Sequence, residues 1–396
     1  MKEHFPIFSH QPDLIYFDNA STTQKPHSVI NATTLFQEQQ NANVHRGIYH
    51  LSAKATDAYE MTRAKTASFL NAPSEKNIAF TSGTTESINT VAFGFLEQNL
   101  KAKNNLVVTT MEHHANLIPW QILAKKTGAA LRVVALKEDG SLNLEDYQNK
   151  LDSHTKLVAM THISNTLGTI NPIKECIDLA HKNGTPILID GAQSAALHSI
   201  DVQELNCDFF VFSAHKAFGP FGVGILYVSD QYRDKMTPYK FGGGIVRSVT
   251  FEDTTFMEFP YTAEAGTPNV SGVVSWGVAL DFLNDLDRIA AKKHVQHLGS
   301  YCREQMDLMD GMELLPCSQN SSGIVSFNVE NIHPHDVATF LAEYKIAVRA
   351  GHHCTQPLLE SLGVLASVRA SFSIYNTREE IDFLMVKLKE IRGIFA

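Results

Sequence analysis

An α/β architecture built on a mostly parallel sheet is what this sequence predicts. Three observations carry that expectation. Short runs rich in β-branched and aromatic residues recur at 78–80, 106–109, 131–136, 156–161, 186–189, 209–212 and 224–228. Helix-length amphipathic segments such as 85–98 and 173–183 separate several of them, which is the alternation of strand and crossover helix. Polar loops follow many of the runs, at 81–86, 112–116, 164–166, 190–194 and 213–216. In an open parallel sheet, ligands bind outside the carboxyl ends of the strands, so these loops can line one crevice.

Taken in order, 28–40 and 55–70 read as helices ahead of the alternation, with Pro26 suited to the first one's N-terminal turn. The alternation then runs to about residue 228. After about residue 286 the texture changes. A long helical stretch reaches 309 and a strand is expected at 324–329. A helix follows at 335–344, then short strands near 346–349 and 368–373, and a terminal helix at 378–391. The expected organisation is a large domain over 16–285 and a smaller α+β domain over 286–396, with 1–15 packed on the latter. There is no internal repeat, low-complexity tract or long linker.

The chain has 396 residues, which favours two domains over one core. Its 44% hydrophobic and 19% charged residues are those of an ordinary soluble protein. The net charge of −9, without a basic cluster, disfavours nucleic-acid binding. No apolar stretch approaches a bilayer span, and residues 1–12 lack the apolar centre of a signal peptide. A cytoplasmic location, away from membranes, is therefore expected. Cys176, Cys207, Cys302, Cys317 and Cys354 are odd in number and scattered, with no Cys-x-x-Cys. Reduced thiols fit that pattern better than a disulfide framework or a zinc ribbon.

Two residues point to chemistry. Lys216 stands in Ser-Ala-His-Lys-Ala-Phe-Gly-Pro, directly after the apolar run 209–212. Burial there disfavours its charge and pushes the amine toward its nucleophilic form. Asp190 ends the run 186–190 and continues as Gly-Ala-Gln-Ser. A turn aspartate is the plain reading of Asp-Gly. Pyridoxal phosphate accounts for both residues, because it takes a lysine for its aldehyde and a carboxylate for its pyridine nitrogen. Gln193, one short loop on, can hydrogen-bond the cofactor's phenolic oxygen.

Other segments fit the same cofactor. Ser82-Gly83-Thr84-Thr85-Glu86 joins a strand to a helix, where hydroxyls and free amides can hold a phosphate. An ordinary N-cap reads equally well. In Met-Glu-His-His-Ala-Asn, adjacent histidines point apart, so joint metal ligation is disfavoured; one imidazole can stack on a pyridine ring, or both can be plain loop residues. Arg349-Ala350-Gly351-His352-His353-Cys354 presents a thiol on a loop flanked by Gly and His, where it can move and be held as thiolate. A buried inert cysteine and a His-His-Cys zinc site are the alternatives, the latter lacking a fourth ligand. Arg369 offers a bidentate clamp for a carboxylate.

These residues together resemble the class V (aminotransferase class V) pyridoxal phosphate enzymes, and most closely the group II cysteine desulfurases of the SufS/CsdA type. The matching positions are Thr84, Thr85, His113, Asn165, Asp190 and Gln193, then Ser213-x-His215-Lys216, Ala-Gly-Thr-Pro-Asn at 265–269, and Arg349-x-Gly351-x-His353-Cys354. The likeness runs from Tyr16-Phe17-Asp18-Asn19-Ala20 to Tyr375-Asn376-Thr377. It implies the fold type I transferase architecture, with a mostly parallel seven-stranded large domain and a homodimer. It implies pyridoxal 5'-phosphate on Lys216, with Asp190 at the pyridine nitrogen, Gln193 at the phenolic oxygen and His113 on the ring face. Thr84, Thr85, Ser213 and His215 would hold the phosphate, joined by Thr267 from the partner subunit. Asn165 and Arg369 would bind the substrate carboxylate, with Arg349 supporting the site beside the cysteine. His45 and Arg46 match a family segment without a firm role. No metal is implied.

The activity that the resemblance implies is removal of sulfur from L-cysteine. Lys216 moves protons, alanine leaves, and a persulfide remains on Cys354 for an acceptor protein, SufE/CsdE-like or SufU-like. That sulfur would feed iron–sulfur cluster or other sulfur-cofactor synthesis, with weak turnover when the acceptor is missing. Selenocysteine lyase, or another class V reaction, is the alternative. The chain departs from the family pattern at Ala214, where glycine is common, at Thr355, where alanine is frequent, and at His352, which varies.

Overall fold

The computed structural model describes residues 1–395. Its centre is a seven-stranded sheet. In chain order the strands are β1 (Ile78–Thr81), β2 (Asn105–Thr109), β3 (Ala130–Val134), β4 (Thr155–Thr161), β5 (Ile187–Asp190), β6 (Phe209–Ser213) and β7 (Gly224–Val228). Their spatial order is β1-β7-β6-β5-β4-β2-β3. All neighbouring pairs are parallel except the two made by β7. Strands β1, β2 and β5 to β7 are buried along their whole length, which explains their continuous apolar sequences. Of the seven strands, only the edge strand β3 carries exposed residues.

The antiparallel β7 has a local purpose. Gly224 pairs with both Thr81 and Ser213. A Cβ on Gly224 would meet Thr81 Oγ1 at 2.3 Å and the Gly83 backbone at 2.5 Å. Glycine therefore lets the turn after β1 settle against the end of β6, bringing residues 83–85 beside Ser213.

Several expected elements differ in detail. The helix expected over 85–98 is α-helical over Thr84–Val91, then widens into a π turn at Ala92–Leu96 and tightens at Glu97–Asn99. The Gly94 carbonyl accepts from Thr237 N–H at 2.8 Å and Thr237 Oγ1 at 2.7 Å, and that outside partner draws it from regular helical pairing. Helices Ile118–Thr127 and Val270–Asp285 carried no clear amphipathic signal. The second is buried on most sides against His27–Gln39 and His50–Phe69, with Trp276 Nε1 donating to Thr66 Oγ1 at 3.0 Å. The strand expected at 346–349 is two strands. Ile346–Ala347 pairs in parallel with Ile15–Tyr16, and Arg349–Gly351 pairs with Ser367–Ser371.

That last pair belongs to a four-stranded antiparallel sheet ordered Met312–Leu314, Ile324–Val329, Ser367–Ser371, Arg349–Gly351. The N-terminal segment bridges the two sheets' surroundings. Phe5 packs on Tyr375 but also on Phe218 and Phe282, and Lys2 pairs with Glu380. Among the described residues no helix is long and apolar enough to cross a membrane.

Candidate active site

A cavity of about 240 Å³ opens beyond the carboxyl ends of β1, β4, β5 and β6, under the small antiparallel sheet. Thr84, Thr85, His113, Asn165, Asp190, Gln193, Ser213, His215 and Lys216 line it from the large sheet. Arg349, Cys354 and Arg369 line it from the small one. Thr267, of the residues given a firm role, lies elsewhere. It is exposed, in a separate depression beside Glu264 and Asn269. His45 and Arg46 lie off the cavity too; His45 bonds Glu60 at 2.9 Å and sits against Tyr59 and Tyr261.

Lys216 ends the short turn after β6. Burial pulls its amine down to about 8, against the opposing attraction of Asp190. Asp190 is buried, and burial raises its carboxyl above the usual range despite the Ala192 N–H bond at 2.9 Å. A carboxyl so placed, with no other hydrogen bond among the described residues, is suited to a cation arriving in the cavity. Gln193 reaches across to donate to the Ala20 carbonyl at 2.8 Å.

One end of the cavity is a cradle of donors. Thr84 N–H donates to Ser213 Oγ at 2.8 Å, and the two hydroxyls lie 2.7 Å apart. Thr84 and Thr85 form the first turn of their helix, where free amides and the helix dipole favour an anion. His215 Nδ1 is buried without a partner among the described residues. Burial holds His215 near 4 and neutral. These groups fit a phosphate, as Lys216 and Asp190 fit an aldehyde and a protonated ring nitrogen, so the site suits pyridoxal phosphate.

His113 is oriented from behind. Its Nδ1 accepts from Ala115 N–H at 3.0 Å, which leaves Nε2 to carry the proton. Burial and the Lys216 charge hold it down to about 3, so it presents a neutral flat face. His114 turns the other way, its Nε2 accepting from Gln356 N–H at 3.2 Å.

Glu112, whose role the sequence did not disclose, fixes this loop. It accepts from Thr109 Oγ1 and Asn116 Nδ2, both at 2.6 Å, and from Thr161 N–H at 3.0 Å. Burial raises its carboxyl to about 8. The folded state therefore holds a proton that the unfolded chain releases near pH 4.5. Stability from this group is full below that pH and is lost as pH rises toward 8. Glu112→Gln keeps the shape and should flatten that part of the melting-temperature profile between pH 4.5 and 8; an unchanged slope would sink the assignment.

Above the cavity, Arg369 is 2% exposed. Nη1 donates to the Asn165 carbonyl at 2.9 Å, and Nη2 to Asp18 Oδ1 at 3.1 Å and Ser21 Oγ at 2.8 Å. Nε has no partner among the described residues. A buried guanidinium with a free donor on a cavity wall is suited to receive a carboxylate. Arg349, exposed, shares Ser21 Oγ at 2.8 Å. Asp18 and Ser21 are the residues the sequence left unassigned in this group.

Cys354 is exposed on a held loop. Its carbonyl accepts from His114 N–H at 2.7 Å, and the preceding His353 carbonyl accepts from Asn165 Nδ2 at 2.8 Å. Thr355 Oγ1 lies 2.8 Å from Thr166 Oγ1. His353 and Cys354 both adopt positive φ, 52° and 58°, conformations that cost non-glycine residues energy. The loop spends that strain on turning the thiol toward the cavity. The other four cysteines are partly or fully buried, and burial raises each of their thiols.

The chain is similar to known proteins along its whole length. The family Aminotransferase class-V matches residues 15–384. A probable cysteine desulfurase of Halalkalibacterium halodurans is 45% identical, covering all of this chain and 98% of the relative. A cysteine desulfurase of Escherichia coli is 43% identical, with the same coverage of both. Among solved structures, the cysteine desulfurase CsdA of Escherichia coli superposes with a TM-score of 0.93 at 36% identity, covering 99% of this chain and 98% of its own. The apo cysteine desulfurase of Thermococcus onnurineus gives 0.94 at 36%, covering 99% and 97%.

Proposed function

The chain belongs to the aminotransferase class-V family and is a cysteine desulfurase that works with pyridoxal 5'-phosphate, and from that premise we propose how its residues divide the work. The observation that carries the assignment is the meeting of Lys216, Asp190, Arg369 and Cys354 on one cavity. Lys216 would bind the cofactor's aldehyde and Asp190 its ring nitrogen. Gln193 would bind its phenolic oxygen and His113 its face, while Thr84, Thr85, Ser213 and His215 take its phosphate. When bound, the cofactor withdraws electrons from the substrate α-carbon.

Arg369 receives the L-cysteine carboxylate on its free Nε, with Asn165 beside it. Lys216, whose amine burial brings down to about 8, takes the α-proton and returns protons to carbon. Cys354 attacks the substrate's sulfur. The C–S bond breaks, its electron pair stays on carbon and is protonated, and alanine leaves. One thiol hydrogen ends on carbon, the sulfur ends on Cys354 as persulfide, and no outside oxidant is needed. Arg349 and His353 steady the thiol's loop. Incubation with L-cysteine should yield alanine and protein-bound persulfide in equal first-turnover amounts; alanine without persulfide would defeat the Cys354 assignment.

Arg369→Met should raise KM for L-cysteine about 10- to 100-fold, the worth of a charge-assisted bond. Its effect on kcat should be smaller. An unchanged KM would remove Arg369 from substrate binding.

Thr267 supports a homodimer. It is exposed and off its own chain's cavity, so its phosphate contact would be made to a partner subunit. Sedimentation should give twice the chain mass, and Thr267→Ala should weaken cofactor retention. The persulfide passes to a separate thiol protein of the SufE/CsdE or SufU kind, since the tethered Cys354 loop cannot carry sulfur far; adding such an acceptor should raise turnover. A nucleophilic thiol needs a reducing compartment, which supports a cytoplasmic location, checked by fractionation.

A further inference from the structure

Lys216 faces two cavities, and only one of them has been assigned. A second, of about 70 Å³, lies on its other flank and shares Ala20, Ile163, Gln193 and Lys216 with the first. Its remaining walls include His198, Lys292 and Ser322, with Ala196 at the side. None of the substrate- or phosphate-binding residues Arg369, Asn165, Thr84 or Ser213 borders it. Once substrate and cofactor fill the first cavity, this compartment is the other space that Lys216 adjoins.

Its chemistry suits water. A cavity needs at least roughly 10–15 Å³ to hold a water, each water occupies about 30 Å³ in the liquid, and each needs two to four polar partners. Ser322 Oγ is buried without a partner, and so is Nδ1 of the neighbouring His162. The His162 and His198 rings lie 5.5 Å apart. Lys292, half-buried, makes no ion pair or side-chain hydrogen bond among the described residues. Its charge acts on both rings, which burial also holds neutral, His162 near 4 and His198 near 3. Lys216 and the partly exposed Lys292 thus border one compartment, with His198 and Ser322 also on its wall.

We propose that this compartment holds a short water chain through which the Lys216 amine exchanges protons with solvent while substrate occupies the main cavity. The inference rests on the proton-carrying role of Lys216 proposed above. The exchange moves protons only. Lys216 holds the substrate's α-proton as an N–H, swaps it with compartment water, and delivers a solvent proton to carbon.

The holoenzyme is given L-[2-²H]cysteine in ordinary water, and deuterium at Cα and in the methyl group of the alanine is measured. The wild type should wash out nearly all the label. Ala196→Leu, which fills the compartment from its side wall, should retain the greater part of it. Lys292→Met, which removes the outer end of the chain, should retain an intermediate share. Label retained by the wild type, or washed out equally by both variants, overturns the inference while the desulfurase reading stands. Absence of alanine in the wild type strikes the desulfurase reading instead, and a second readout then decides. Crystals of the cofactor-free protein should show ordered water between Lys216 and the His198–Lys292 wall, displaced in Ala196→Leu. A dry compartment there overturns the inference by itself.

Discussion

Cys354→Ser should abolish persulfide formation and cut alanine production on the order of 10³-fold or more, the scale of losing a nucleophile. A hydroxyl of similar size cannot accept sulfur as a thiolate does. The fold should not notice. Cys354 is exposed, and serine at φ 58° bears the same backbone cost as cysteine. Stability should therefore stay within about 0.5 kcal/mol, and the bound-cofactor absorbance should persist. Cys354→Gly separates the two roles further. Glycine is at ease at positive φ, so this variant should be equally inactive and melt no lower. Cys317→Ser serves as a control, because Cys317 does not line the active cavity. Full alanine turnover in Cys354→Ser would overturn the assignment of the nucleophile.

Particular residues show why some of this site is legible in sequence. Lys216 and Asp190 are charged residues at the ends of apolar runs, and a strand's carboxyl end is a place that sequence can locate. Cys354 stands out because it follows Gly351 and two histidines just past the end of a short strand. Glu112 was hidden because its three hydrogen-bond donors come from β2, the following turn and β4. Asp18 and Ser21 were hidden for the same reason: they meet Arg369 across roughly 350 positions of chain. Helix Val270–Asp285 escaped notice because it is apolar nearly all round, so the 3.6-residue contrast that marks a surface helix is missing. The π turn at Ala92–Leu96 depends on Thr237, whose approach no local pattern announces. What sequence yields is the chemistry of single positions; the orienting layer behind them is a product of the fold.

Lys216→Ala should be the second large loss, and it tests a different part of the site. Removing the amine would take away both the proposed attachment point and the proposed proton carrier. The general acid–base share alone is worth on the order of 10²- to 10⁴-fold. Cofactor should still bind, because Asp190, His113 and the Thr84–Ser213 cradle remain, but it should now be lost on dialysis. The variant also leaves space where the side chain lay, beside two cavities, so a small amine such as methylamine should restore part of the proton transfer. That rescue should climb with pH as more of the added amine becomes neutral. The folded state holds the Lys216 amine near 8, below its usual value, so it binds fewer protons than the unfolded chain between about pH 8 and 10.5. Stability of the cofactor-free wild type should therefore rise with pH across that window, and the alanine variant should lack that rise. A wild-type profile flat over this range would mean that Lys216 is not desolvated as the structure has it. Retained activity without added amine would place the proton transfers on another group, with neutral His113 the first to examine.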